Sequence, residues 1–287
     1  MSLGDYRRSI AHLRRTVESI DPELIGQRFG MALSPFAWSW AQLAQCHAEL
    51  GEFAEGLACA RESLRVAEIA IQPFNRIFAD LAAGHLYSRK GEGQRAIPPL
   101  EHAVALCRST GIRIMLPGAA VLLGEAYALA GRLPEALPLL EHAVDENTSM
   151  GMALFRSYAL AGLGHAYLLA GRGAEALERA RQALEFSRSH GERGWEASSL
   201  RLLGEIHSHS DRFYVAAAEG SYCSALALAG ELGMRPLVAH AHLGLGRLCG
   251  RTGRAEAAAE HFTTAARLLR EMDMGFWLGK AEAEFKE

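Results

Sequence analysis

Histidines are the side chains of this chain that most readily suggest chemistry, since a neutral imidazole can bind a metal ion or transfer a proton. There are twelve of them. His207 and His209 are two residues apart, a spacing that places their rings on different faces of a helix. The same holds for His240 and His242. We predict no metal site, and the best remaining candidate is the group of His207, His209 and Asp211.

Repetition accounts for other histidines without a metal. His102 and His142 occupy the same place in two copies of the segment LEHAV, 40 residues apart. Stacked repeats would hold them about 10 Å apart, too far to share one ion at bond lengths of about 2 Å. His85 and His165 are likewise equivalent positions of a repeat.

No motif for a nucleophile or a phosphate-binding loop is complete. The stretch GFWLGKA (275–281) is one residue shorter than a phosphate loop and ends in Ala281, which has no hydroxyl group for magnesium. Two G-x-G pairs, at 162–164 and 244–246, lack the third glycine of a dinucleotide-binding turn. G-x-S-x-G does not occur. We predict no catalytic residue and no cofactor.

Composition and charge favour a cytoplasmic protein with neither nucleic acid nor a membrane as partner. The 287 residues carry a formal net charge of -3, so the sequence lacks the excess of positive charge that is typical of proteins binding nucleic acids or membranes. The N-terminus MSLGDYRRSI is not a secretory signal, and apolar runs stop well short of the about 18 residues of a membrane span. The cysteines are odd in number and form no C-x-x-C pair, which predicts buried, reduced thiols. They are Cys46, Cys59, Cys107, Cys223 and Cys249.

Periodic glycines mark the ends of the helices that carry the histidines and cysteines. One set recurs every 40 residues, and a second set marks another turn about halfway between. Apolar residues follow helical spacing around each turn, so each unit is predicted to hold two amphipathic helices of about 16 to 18 residues. Glycine suits the left-handed end of a helix. The two sets are Gly51, Gly91, Gly131 and Gly171, and Gly111, Gly151, Gly191 and Gly233.

A small residue also recurs inside the first helix of each unit, seven residues before the turn. Glycine at such a site lowers helix propensity by about 1 kcal/mol, so it needs a packing reason. Each is followed by a second small residue, as Gly164 is by Ala176, which predicts that the two helices cross with their backbones close together. The first series is Ala44, Gly84, Gly124, Gly164, Gly204 and Gly246.

This run of an apolar residue, a small residue and a tyrosine before the turn glycine, followed by two alanines, resembles the tetratricopeptide repeat. The resemblance implies an all-α fold, a right-handed superhelical solenoid. The period of 40 exceeds the family's usual length of about 34, and HEAT or armadillo arrays have a similar period, but the paired small positions favour the tetratricopeptide reading. The fourth unit shows the run as Leu163, Gly164, Tyr167, Gly171, Ala176 and Ala183.

The whole chain, 1–287, is predicted to be a single array. A half-repeat covers residues 4–21, which suggests that more protein once preceded it or still precedes it, and a capping helix covers 274–286. Between them lie six full repeats at 34–72, 73–112, 113–152, 153–192, 193–234 and 235–273.

Three C-terminal segments are similar to the helical-repeat tails of multidomain bacterial signalling proteins, in which a class III adenylate or guanylate cyclase domain and an NTPase module commonly precede the repeats. The resemblance implies a regulatory or sensor region and implies no catalysis. The segments are LRLLGEIHSHSD (200–211), ELGMRPLVAHAHLGLGRLCGRTGR (231–254) and LREMDMGFWLGKAEAEF (269–285).

In the tetratricopeptide family the first helices line a concave groove, so the resemblance implies that a partner binds there. The same positions would also suit ordinary half-packed helix surfaces. They do not match the Lys, Asn, Asn, Lys and Arg set with which family members bind a chaperone's C-terminal carboxylate. The candidate partner-binding residues are Trp38, Phe78, His85, Glu125, Tyr158, His165, Arg201, Glu205 and Arg247.

We therefore predict a non-catalytic scaffold that binds a protein or peptide, as a regulatory part of a bacterial signalling protein. One alternative is a self-association module that forms a homo-oligomer. A more remote alternative is an enzyme that uses the histidine and glutamate row as acid and base. The missing nucleophile motif argues against that last possibility.

Overall fold

The computed structural model describes residues 4–19, 21–27, 29–209 and 214–284. Every regular element in these ranges is helical. The chain divides into two compact units, whose main segments are Asp5–Ser149 and Met150–Glu287. None of the helices in the described ranges combines the length and apolarity that crossing a bilayer requires.

In the first unit, helices pack as pairs around a continuous apolar interior. α2, α4 and α6 are the first helices of three pairs, and each packs on the second helix that follows it and on its neighbouring first helix. Each of these first helices has a proline in its opening turn. Backbone N–H groups there have no acceptor within the helix, so a residue without an N–H is tolerated. The helices are α1 (Tyr6–Ser19), α2 (Pro35–Leu50), α3 (Phe53–Ile69), α4 (Pro73–Lys90), α5 (Gly93–Thr110), α6 (Leu116–Leu129) and α7 (Leu133–Ser149).

The second unit repeats this arrangement. Its first helices, α8, α10 and α12, pack side by side, and each packs against its own second helix. The last helix, α14, packs on α13. The helices are α8 (Arg156–Leu169), α9 (Gly173–Ser189), α10 (Arg193–His209), α11 (Val215–Leu232), α12 (Arg235–Arg251), α13 (Ala255–Glu271) and α14 (Gly275–Glu284).

The periodic glycines end helices, as predicted. Gly171 has a φ of +73° and donates its N–H to Leu168 at 3.0 Å, while the next N–H, of Arg172, reaches Tyr167 at 2.9 Å. These two bonds satisfy carbonyl groups that the end of α8 would otherwise leave unpaired. Asp273, which stands in register with the second glycine set, adopts the same left-handed conformation at +53°.

Gly171→Ala is expected to destabilise the second unit by about 1–2 kcal/mol, because a side chain at this φ meets the following carbonyl oxygen. Beyond the adjoining residues, nothing in the described ranges comes within 4 Å of the added Cβ, so backbone strain alone would be measured. Gly173→Ala, in the first turn of α9 and equally open, is the matched control. Thermal unfolding followed by circular dichroism compares them, and equal midpoints would contradict the strain argument.

The small residues inside the first helices serve two packing arrangements. In the fourth repeat a Cβ at Gly164 would lie 3.3 Å from the carbonyl oxygen of Ala176, so the predicted close approach of backbones is confirmed there. In the third repeat the nearest atoms are those of a side chain, since a Cβ at Gly124 would lie 2.5 Å from Cγ of Leu140. Glycine at that site therefore makes room for a leucine from the second helix.

Candidate functional site

A cluster of charged side chains lies along the first helices of the second unit and on α14. We call it the charged surface, and its α10 members are Arg201 and Glu205, which form an ion pair one turn apart. The two side chains are 19% and 16% exposed, so the pair is partly desolvated but still reachable by a ligand. The remaining members are His165 on α8, His240 and Arg247 on α12, and Lys280 and Glu284 on α14.

The charges of the cluster influence one another across the helices. Burial opposes ionisation of Glu205, but the charge of Arg201, with those of neighbouring basic groups on α8 and α12, outweighs it and lowers the pKa of Glu205. Burial lowers the pKa of His165; the charge of Glu205 opposes this effect, and the charges of Arg201 and Lys280 add to it. His165 is therefore neutral at pH 7, and Glu205 is ionised.

Arg247 on α12 makes a two-point contact with α14. Its Nε and Nη2 donate to the two carboxylate oxygens of Glu284 at 2.6 and 2.7 Å, a bidentate arrangement. Burial disfavours the charged guanidinium, but Glu284 outweighs it and raises the pKa of Arg247. Beside this pair, the ring of Trp277 meets His240 edge-on with centroids 4.5 Å apart. These contacts attach α14 to α12.

Tyr222 supports the charged surface from behind, and the sequence analysis did not single it out. It is the bulkiest fully buried side chain among the described residues, and it comes from the second helix α11. Its ring fills the space left by Gly204 on α10 and Gly244 on α12, since a Cβ at either position would overlap it. Burial raises the pKa of its hydroxyl, and the charge of Glu205 adds to that effect. The sequence signal that could have revealed it is the pair of glycines on neighbouring first helices, which leaves room for one large side chain between them.

In the first unit, one of the predicted groove residues, His85, belongs to a buried ion-pair network. His85 is buried, and its Nε2 lies 2.8 Å from Oε1 of Glu49 on α2. Arg89 donates its Nε to the same oxygen at 2.9 Å. Burial opposes ionisation of Glu49, but Arg89 and His85 outweigh it and lower its pKa to about 2. This histidine is therefore engaged in holding α2 to α4.

The nine predicted residues are divided between the units. Trp38 is 39% exposed in the first unit, where Phe78 and Glu125 are half-buried. Tyr158, in the second unit, is buried and stacks on Trp195 with ring centroids 4.4 Å apart, so it packs beneath the surface. The structure brings together His165, Arg201, Glu205 and Arg247.

Among the described residues, no group of three or more His, Cys, Asp or Glu side chains could hold a metal ion. Asp211 of the histidine candidate lies outside the described residues. Two histidines of the second unit, His242 and His261, lie side by side with their Nδ1 atoms 2.9 Å apart. Burial lowers the pKa of both rings.

The thiols are mostly buried, as predicted. Burial raises the pKa of Cys46 to about 12 and that of Cys59 to about 11, which makes them unreactive. The prediction is also confirmed for Cys107 and Cys249. It is wrong for Cys223, which is exposed because the buried face of α11 passes through other positions.

Comparisons with known proteins agree with this architecture. The model of the tetratricopeptide repeat matches residues 37–62, 117–142, 157–182 and 239–262. The apo form of RapI has a TM-score of 0.65 and 11% identity over 91% of this chain and 89% of that chain. A Rap protein complexed with the competence and sporulation factor has a TM-score of 0.69 and 13% identity, covering 92% and 70%. NprR in complex with its cognate peptide NprX gives 0.64 and 13%, covering 96% and 81%.

These likenesses, together with the helices and turns, confirm the predicted all-α fold of the tetratricopeptide solenoid type. At such low identity they show the fold alone. No protein of curated function matches the chain in sequence.

Proposed function

We propose that this protein is a non-catalytic scaffold that binds a protein or peptide on the charged surface of the second unit. The observation that carries the proposal is the set of partly exposed charges on Arg201, Glu205 and Arg247, held on rigid neighbouring helices. Charged groups that are already ordered lose little entropy when a ligand binds. The fold supports the proposal too, since a Rap protein binds the competence and sporulation factor and NprR binds its cognate peptide NprX.

The setting we propose is a regulatory or sensor region of a bacterial signalling protein in the cytoplasm, in which both units belong to one array of repeats. Its support is the similarity of residues 200–211, 231–254 and 269–285 to the repeat tails that follow cyclase domains. In the first unit, the exposed ring of Trp38 and the half-buried ring of Phe78 would accept an apolar side chain of the partner.

Replacing both Arg201 and Glu205 by glutamine in one variant is expected to weaken peptide binding about tenfold or more. The reason is that charge-assisted hydrogen bonds contribute about 1.5–3 kcal/mol each. The exchange leaves the net charge unchanged. Peptides are selected from a phage library of random dodecapeptides on the immobilised full chain. Fluorescence anisotropy then gives the dissociation constant of each selected peptide for the wild type and the variant.

The matched control replaces Arg267 and Glu271 by glutamine, since they form an exposed ion pair of the same spacing on the second helix α13. It should leave the dissociation constants unchanged. The first unit is tested in the same way with Trp38→Ala and Phe78→Ala combined. Peptides that bind the double glutamine variant as well as the wild type contradict the proposal. A mass that rises with concentration in sedimentation, without any selected peptide, favours self-association instead.

A further inference from the structure

The charged surface carries an excess of positive charge in a chain whose formal net charge is -3. Its arginine and lysine side chains are Arg201, Arg247 and Lys280, against the two carboxylates of Glu205 and Glu284. Two histidines of the same surface add positive charge when they are protonated. A surface of this sign attracts an anionic partner.

One carboxylate already bound to this surface comes from the molecule itself. Glu284 is in the last turn of α14, a helix of ten residues that buries only Ala281. Its ion pair with Arg247 is accessible, because the two side chains are 30% and 32% exposed. The outer side of α14 is also open, and Phe276 is 43% exposed there. A short helix with so little buried surface is free to open locally.

The two ion pairs of the surface differ in how they are held. Arg201 and Glu205 lie on the same helix, one turn apart, so their pairing does not depend on a second element. Arg247 and Glu284 lie on different helices, 37 residues apart in the chain. Opening of α14 would therefore leave the Arg247 guanidinium ready for another carboxylate while Arg201 stays paired.

We propose that an acidic side chain of a peptide partner replaces Glu284 on Arg247, so that α14 acts as an internal competitor for the binding site. The partner is thus a peptide segment that carries Asp or Glu inside its sequence, and this rests on the proposed function. A polynucleotide fits the surface less well, since Glu205 and the chain's net negative charge would repel a continuous row of phosphates.

The test uses the full chain and an end-blocked fluorescent decapeptide of alternating Glu and Ala, with Gln–Ala and Lys–Ala decapeptides as comparisons. Fluorescence anisotropy should show that Arg247→Gln weakens binding of the Glu–Ala peptide at least about tenfold. Glu284→Gln should strengthen it about tenfold, which corresponds to Glu284 occupying Arg247 for roughly nine-tenths of the time. Both peptide ends are blocked, so a terminal carboxylate cannot account for binding.

Glu175→Gln is the matched control, since Glu175 lies on α9 and pairs with Arg172 three residues before it, so its loss removes no contact of α14. It removes the same charge and should leave the affinity unchanged. Arg247→Lys keeps the charge without the bidentate geometry and should weaken binding less than Arg247→Gln, which separates recognition from loss of folding. Circular dichroism checks that each variant retains its helices.

Equal affinities for the Glu–Ala and Gln–Ala peptides, or weaker binding by Glu284→Gln, would overturn the inference. So would a single-stranded DNA decamer that competes as well as the Glu–Ala peptide. If the phage-selected peptides still depend on Arg201 and Glu205, the proposed function stands although the inference fails. If no peptide from either source binds, both fail.

Discussion

Gly244→Ala is expected to lower the free energy of unfolding of the second unit by about 1–3 kcal/mol, the range typical of overpacked cores. The added methyl group would overlap the ring of Tyr222. That ring cannot move aside, because Gly204 presses on it from α10, where a Cβ would lie 2.7 Å from Cδ1. The substitution must therefore force α12 away from α11, although alanine by itself favours helix formation.

The same helix provides a control with the opposite sign. Gly250 lies in α12, and beyond its neighbours in that helix no other residue of the described part of the chain comes within 4 Å of an added Cβ, so Gly250→Ala should stabilise the unit by up to about 1 kcal/mol through helix propensity. Thermal and urea unfolding, followed by circular dichroism, measure both variants. A Gly244→Ala protein that is as stable as Gly250→Ala would refute the packing of Tyr222 between the two helices.

A double-mutant cycle identifies the contact responsible. Tyr222→Ala alone should cost about 3–5 kcal/mol, because it removes a large buried aromatic ring. Adding Gly244→Ala to that variant should cost little or even stabilise it, since the overlap is gone and the cavity accepts the methyl group. Additive effects of the two substitutions would show that Tyr222 and position 244 do not interact.

Acidification is expected to remove about 3 kcal/mol of stability from the first unit as the pH falls from about 5 to about 2, owing to Glu49. Arg89 and His85 lower its pKa to about 2, compared with an ordinary value near 4.3. A carboxyl group with a depressed pKa stabilises the fold above its unfolded pKa. That contribution is lost as the pH falls from the unfolded pKa to the folded pKa, because over this range the unfolded state binds the proton and the native state does not.

Glu49→Gln isolates this effect. The variant should be less stable than the wild type at pH 7, and the difference should shrink as the pH approaches 2. Unfolding midpoints measured across this range give the comparison. Glu62→Gln, which removes an exposed carboxylate paired with Arg65, should show a small difference that does not vary in this way. A difference between wild type and Glu49→Gln that is constant with pH would show that the ion pairs do not shift the carboxyl's titration.

Much of the fold was predictable because its signals are local. A left-handed residue at the end of each helix needs glycine, so Gly51 and Gly171, with φ values of +76° and +73°, mark helix ends that the 40-residue spacing already indicated. Apolar residues at helical spacing identify the buried face of each helix in the same way. The roles of polar side chains were less predictable. His85 occupies a position that the repeat register assigns to the groove, yet it is buried against Glu49.

The sequence by itself determined the repeat, the positions of the turns and the helical class of the fold, because each of these depends on residues a few positions apart. Only the tertiary structure decided which charges pair, as Arg247 does with Glu284, and which gaps are filled, as Tyr222 fills the one beside Gly244. Such contacts join residues from different helices. They depend on crossing angles, side-chain rotamers and burial, which a periodic pattern along the chain does not encode.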